Sequence, residues 1–176
     1  MMNNNQAHFH FQQPQTEETQ VTFRGRDLYS YRYAYARSAE CQQSGDPGQA
    51  YLVFREDGSR LAFVLCDGVS QSFFGDLAAS FLGNQLLEWL WNNQAFAAEK
   101  VQAQLHAHLN SLVLSATQVV AGQPLPNEIP DLLRSVLEEK RVQGSETMLT
   151  GGLLDFTRRQ ALLVSLGDMR LRIWGA

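Results

Sequence analysis

Apolar and polar positions change period several times along this chain, and each change marks an element. Over residues 27–37 the alternation is strict, with Tyr29, Tyr31, Tyr33 and Tyr35 on one side and Ser30, Arg32, Ala34 and Ala36 on the other. Period two with aromatic enrichment predicts a strand whose Tyr row packs against a neighbouring layer. Ser44-Gly45-Asp46-Pro47-Gly48 has the composition of a turn. Residues 50–55 and 60–66 then form two near-continuous apolar runs around Glu56-Asp57-Gly58-Ser59. An Asp-Gly pair between such runs predicts a hairpin, and the lack of polar alternation predicts strands covered on both faces.

The period then lengthens. Over 75–93, Leu77, Phe81, Leu82, Leu86, Trp89 and Leu90 recur at three-to-four spacing and predict an amphipathic helix. Residues 95–121 repeat the signal through Leu105, Leu109, Leu112, Val113, Ala116 and Val120. His106 and His108 are two apart there, share no helix face, and read as solvent-facing. Pro130 fits the first turn of a shorter helix reaching about residue 142, which Gly144 ends. Strands return over 147–156 and 161–174. Strands, then helices, then strands again predict a layered α+β domain over 21–176 and not alternating βαβ units. Residues 1–20, rich in Asn, Gln and Thr, read as a flexible lead-in. Within it His8 and His10 alternate with Phe9 and Phe11, which suits a short docking strand better than a metal site, because nothing nearby completes a coordination shell.

Composition narrows the function. Hydrophobic content of 44% with 18% charged residues describes a globular chain. A formal net charge of -4 offers nucleic acid no basic face. No apolar run approaches the roughly 20 residues of a membrane span, and the start of the chain has no basic-then-apolar signal pattern, so the expected location is cytoplasmic. Cys41 and Cys66 have neither zinc-type spacing nor a disulfide framework, and Cys66 reads as a small buried residue.

The candidate chemistry lies at Cys66-Asp67-Gly68-Val69, directly after the second apolar run. A strand fixes the Asp67 carboxylate, and Gly68 lets a backbone carbonyl approach the same hard cation. Three fragments follow in order: Gly75-Asp76-Leu77-Ala78-Ala79, Gly144-Ser145-Glu146-Thr147 and Gly167-Asp168-Met169-Arg170. Together these resemble the metal-dependent protein Ser/Thr phosphatases of type 2C, over about residues 27–174. The resemblance implies a sandwich of two antiparallel β-sheets flanked by helices, with a two-metal site at one end. It also implies hydrolysis of phosphoserine and phosphothreonine by water activated between two Mn²⁺ or Mg²⁺ ions about 3.5–4 Å apart. Asp67 would bridge the ions and the Gly68 carbonyl would bind one of them. Asp168 would shape a turn, and Glu146 would make a local polar contact.

Several positions depart from the family pattern. An acidic residue is expected just before the hairpin, where this chain has Ala50 after Gln49, with Asp46 four residues earlier in a Pro-Gly turn. A methyl group anchors neither a metal nor its waters, so Ala50 marks a lost ligand position. The family's remaining carboxylates lie beyond the Gly-Asp-Ser-Arg strand, and this sequence ends six residues after Arg170. The expectation is thus the front portion of the domain, poor at catalysis alone, with self-association or a complementing chain in view. Where many relatives have Gly-Gly-His, Ser70-Gln71-Ser72-Phe73-Phe74 stands here. Arg37 is the nearest candidate for a phosphate-binding arginine, although its spacing from Ala50 is long. Two other readings stay open: a pseudophosphatase or interaction module that keeps the fold and binds a regulatory protein partner, and an unrelated α+β scaffold.

Overall fold

The computed structural model of the chain describes residues 8–93 and 96–174. In order these form β1 (Phe9–Gln12), β2 (Thr19–Gly25), β3 (Ser30–Tyr35), α1 (Ala39–Ser44), β4 (Ala50–Glu56), β5 (Arg60–Gly68), α2 (Gly75–Asn92), α3 (Ala98–Gly122), α4 (Asp131–Gln143), β6 (Thr147–Asp155) and β7 (Gln160–Leu166). The fold is α+β. One sheet is five-stranded in the order β1-β4-β5-β6-β7, the other is the β2-β3 pair, and every pairing is antiparallel.

The near-continuous apolar runs of β4 and β5 are explained by what covers their two faces. Tyr51, Val53, Ala62, Val64 and Cys66 share a core with Ala79, Leu86, Leu87 and Leu90 of α2. Gly83 brings the helix close, since a Cβ there would lie 2.7 Å from the Tyr51 ring. On the opposite face the predicted Tyr row of β3 packs down. The ring centroid of Tyr31 is 5.4 Å from that of Phe54, Tyr33 is 4.9 Å from Phe54 and 4.7 Å from Phe11, and Tyr29 stacks 4.0 Å from Phe156. The alternate residues Ser30, Arg32 and Ala34 are exposed.

A buried ion pair holds the two sheets together. Glu56 is fully buried and accepts from Arg26 through Nε at 2.8 Å to each carboxylate oxygen, and through Nη2 as well. Tyr29 Oη donates to it at 3.0 Å and the Gly58 amide at 3.2 Å.

The structure differs from the sequence reading at several points. Phe9–Gln12 is the short docking strand expected from the Phe9/Phe11 alternation, and it pairs with β4 as an edge strand, so the stretch read as a flexible lead-in is ordered there. Its Phe11 stacks on Phe54 and its Phe9 ring packs at a tilt against the same residue. The final strand ends at Leu166 and not near residue 174, because Gly167 takes a left-handed φ of 93° and the Met148 side chain fills the space a Cβ would need. In α3 only Val101 is buried among the described residues, and the helix packs mainly on α2. His106 is exposed as expected, but His108 is half-buried with its ring stacked 6.0 Å from that of Trp89.

Candidate functional site

Strand β5 carries Asp67 at its penultimate position, directly opposite Ala50, the first residue of β4. Directly opposed residues on paired strands share a face. The carboxylate and the methyl therefore lie on one side of the sheet, the side that carries the β2-β3 layer. Both line a cavity of about 200 Å³ whose wall also includes Tyr35, Arg37, Cys41 and Gly48. Three of the four residues singled out from the sequence, Arg37, Ala50 and Asp67, thus meet in one cavity although they lie up to 30 positions apart.

The fourth, Gly68, lies next to it at the end of β5. Its amide donates to the Gln49 carbonyl at 3.1 Å. A Cβ on Gly68 would lie 2.3 Å from both the carbonyl carbon and oxygen of Gly75, and one on Gly75 would lie 2.8 Å from the Gly68 carbonyl carbon. Two glycines are needed here because the end of β5 and the start of α2 touch backbone to backbone. The Asp67 carbonyl accepts from Thr147 Oγ1 at 3.0 Å, and the Val69 amide donates to the Glu146 carbonyl at 2.9 Å. The Gly144-to-Thr147 segment is thereby tied to the end of β5, and Glu146 takes part through its backbone.

Arg37 follows β3. Its Nη1 donates to the Asp46 carbonyl at 3.2 Å, and its Nε is buried without a hydrogen-bond partner. Gly48 makes room for it: a Cβ there would fall 1.8 Å from Tyr35 Oη and 3.1 Å from Arg37 Cγ. Gln15 pins this turn from the stretch read as a lead-in, accepting from the Gly48 amide at 2.8 Å through its carbonyl and donating to the Asp76 carbonyl at 3.3 Å through Nε2. Sequence reading missed Gln15. The only signal was the Phe9/Phe11 alternation, which brings the chain onto β4 just upstream.

The donor set decides what the cavity can hold. Asp67 is exposed and ionisable, and the Gly68 carbonyl lies beside it, but the position facing Asp67 offers only a methyl group. Burial pushes the Cys66 thiol up to about 12, opposed by a hydrogen bond with Thr147, and its side chain lies in the core on the α2 side of the sheet, away from this cavity. Among the described residues no group of three His, Cys, Asp or Glu side chains could hold a metal ion. One carboxylate and one carbonyl do not fit a pair of hard divalent ions, which take about six oxygen ligands each. Asp168 is exposed in the segment after β7.

A second, apolar opening of about 490 Å³ runs between α2 and α3 beside the end of β5, lined by Val69, Phe81, Leu112, Ala116, Thr147 and Met148 among others. No helix of the described residues is long and apolar enough to cross a membrane. Compared with known proteins, the chain matches no family model, no curated protein and no solved structure.

Proposed function

We propose that the chain carries the front portion of a type 2C-like metal-dependent protein Ser/Thr phosphatase, with the β2-β3 pair and the five-stranded sheet as the two layers of its sandwich. The observation that carries this reading is the register of β4 against β5. It sets the residue expected to be acidic opposite Asp67, in the cavity that Arg37 also lines. The function implied is hydrolysis of phosphoserine or phosphothreonine on a protein substrate. The residues of this chain do not make the two-ion site by themselves, so catalysis by this chain alone is expected to be poor.

The facing methyl of Ala50 favours a second reading, a pseudophosphatase that keeps the layers and binds a regulatory protein without chemistry. Ala50→Asp separates the two. It places two carboxylates on adjacent strands with Cβ atoms about 5 Å apart, a span that one cation can bridge. Under the phosphatase reading Mn²⁺, followed by its electron paramagnetic resonance signal, binds this variant at least about tenfold more tightly than the wild type. The added Asp67→Asn change reverses the gain. Equal Mn²⁺ affinity in wild type and Ala50→Asp would overturn the phosphatase reading and leave the interaction module. Wild-type hydrolysis of a phosphothreonine peptide that needs both Mn²⁺ and Asp67 would instead show that the site is completed.

A further inference from the structure

Strand β7 forms one edge of the five-stranded sheet, and its seven residues read Gln-Ala-Leu-Leu-Val-Ser-Leu. It contains no charge and no proline, the two devices by which edge strands commonly repel other chains. The opposite edge, β1, is only four residues long. Among the described residues, the backbone hydrogen bonds made outside the helices and strand ladders include none from β7. Leu166, on the same side of the sheet as the core residues Leu162 and Val164, is 59% exposed.

The strand is also symmetric about its centre. Residues in left-handed conformation stop it at both ends, Arg159 with φ 54° and Gly167 with φ 93°. The midpoint of the extended stretch is Leu163. Two copies pairing antiparallel about a two-fold axis at Leu163 would use all seven positions, and a shift in either direction would run an extended residue against a left-handed one. In that register Leu162 faces Val164 of the second copy and Ala161 faces Ser165, so each core-side residue meets a core-side residue. One step beyond the left-handed pair, Arg158 meets Asp168 of the second copy, twice by symmetry. The Arg158 side chain is 59% exposed, with its Nε 3.7 Å from Asp155 in its own chain, and Asp168 is exposed.

We propose that the β7 edge is an interaction surface for a second copy of this chain. The two strands pair antiparallel about Leu163, joining two five-stranded sheets, with an Arg158–Asp168 ion pair at each end. This inference uses no residue of the candidate metal site.

Sedimentation velocity on the full chain, with Cys41→Ser to remove its more accessible thiol, supplies the test. A concentration-dependent dimer is expected below a concentration on the order of 100 µM. Mild oxidation should link Leu163→Cys to itself but not Ala161→Cys. An equimolar mixture of Ala161→Cys and Ser165→Cys should link across the pair. Asp168→Arg should weaken association about five- to tenfold by setting like charges opposite each other at both ends. Adding Arg158→Asp in the same chain should restore it. Circular dichroism confirms that each variant is folded. A monomer throughout that range overturns the proposal. So does a dimer that links through Ala161→Cys alone or ignores the charge exchange, as an association through the α2-α3 opening would.

Discussion

At the residue scale, Asp67 and Gly68 owe their positions to different forces. Asp67 is placed by strand pairing, because its partners Ala50 and Met148 on either side fix the face it points to. Gly68 is placed by exclusion, because the backbone of Gly75 occupies the volume of any side chain. Gly68→Ala therefore forces backbone against backbone, where no rotamer change gives relief. Its unfolding free energy in urea should fall by about 3 kcal/mol, the upper end of ordinary overpacking costs, with the α2 N-terminus displaced. A loss below about 0.5 kcal/mol would mean that the two elements separate readily. The Asp-Gly pair was legible because its signal is local, an apolar run ending in an acid and a glycine, although both residues lie inside β5 and not in a turn after it. The role of Glu56 was not. That residue read as part of a hairpin turn, whereas its partners Arg26 and Tyr29 come from the connection between β2 and β3, far off in sequence, and no local pattern announces a carboxylate that is to be fully buried.

At the element scale, period predicts where helices lie and which side is apolar, but not what that side meets. The stripe on α2 meets a sheet and is buried at Ala79, Leu86, Leu87 and Leu90. The stripe on α3 packs mainly on α2, which leaves Val113 61% exposed beside the apolar opening. In α4 the pattern is amphipathic and no residue is buried; Leu132 is 79% exposed. Burial of apolar surface supplies most helix stability in proteins. Amide exchange should accordingly grade these elements. The amides of α4 should open with free energies near zero, while those at the centre of β5, paired on both sides, exchange only near the global limit of about 5–15 kcal/mol. Equal protection in α4 and β5 would show that the face of α4 is covered in solution. The same logic explains the strand misjudged at its end: residues 167–174 keep a period-two pattern, with Met169, Leu171 and Ile173 alternating with Asp168, Arg170 and Arg172, yet Gly167 turns the chain away from β6.

At the scale of the whole molecule, the five-stranded sheet is a partition with a helix on one side and the β2-β3 layer on the other, and the second contact has a charged centre. Burial pushes the Glu56 carboxyl up, but hydrogen bonds from Arg26, Tyr29 and the Gly58 amide outweigh it and hold the group below the usual 4.5. Asp57 is likewise held below 3.8, its burial outweighed by hydrogen bonds from Ser59 and Arg60. An acid whose folded pKa is lowered adds stability that is complete above its unfolded value and disappears as pH falls through the folded one. Asp76 works in the opposite sense: burial raises it above 3.8, so its ionisation opposes folding as pH rises. With two lowered groups against one raised, stability should decline as pH falls below 4.5. Glu56→Gln should lose about 1.5–3 kcal/mol at pH 7 and show a flatter urea midpoint between pH 7 and pH 3.5 than the wild type. An equal slope in both proteins would mean that Glu56 does not carry the acid response. The loss should also be spatially ordered. Tyr35 and Arg37 lead from β3 directly into the wall of the cavity that holds Asp67. Protonating Glu56 releases the layer that positions them, so amides over 30–37 should lose protection in acid before those of β5. If β5 opens at the same pH, the β2-β3 layer and the main sheet unfold as one unit, and the charged contact acts on the whole fold and not on the cavity wall first.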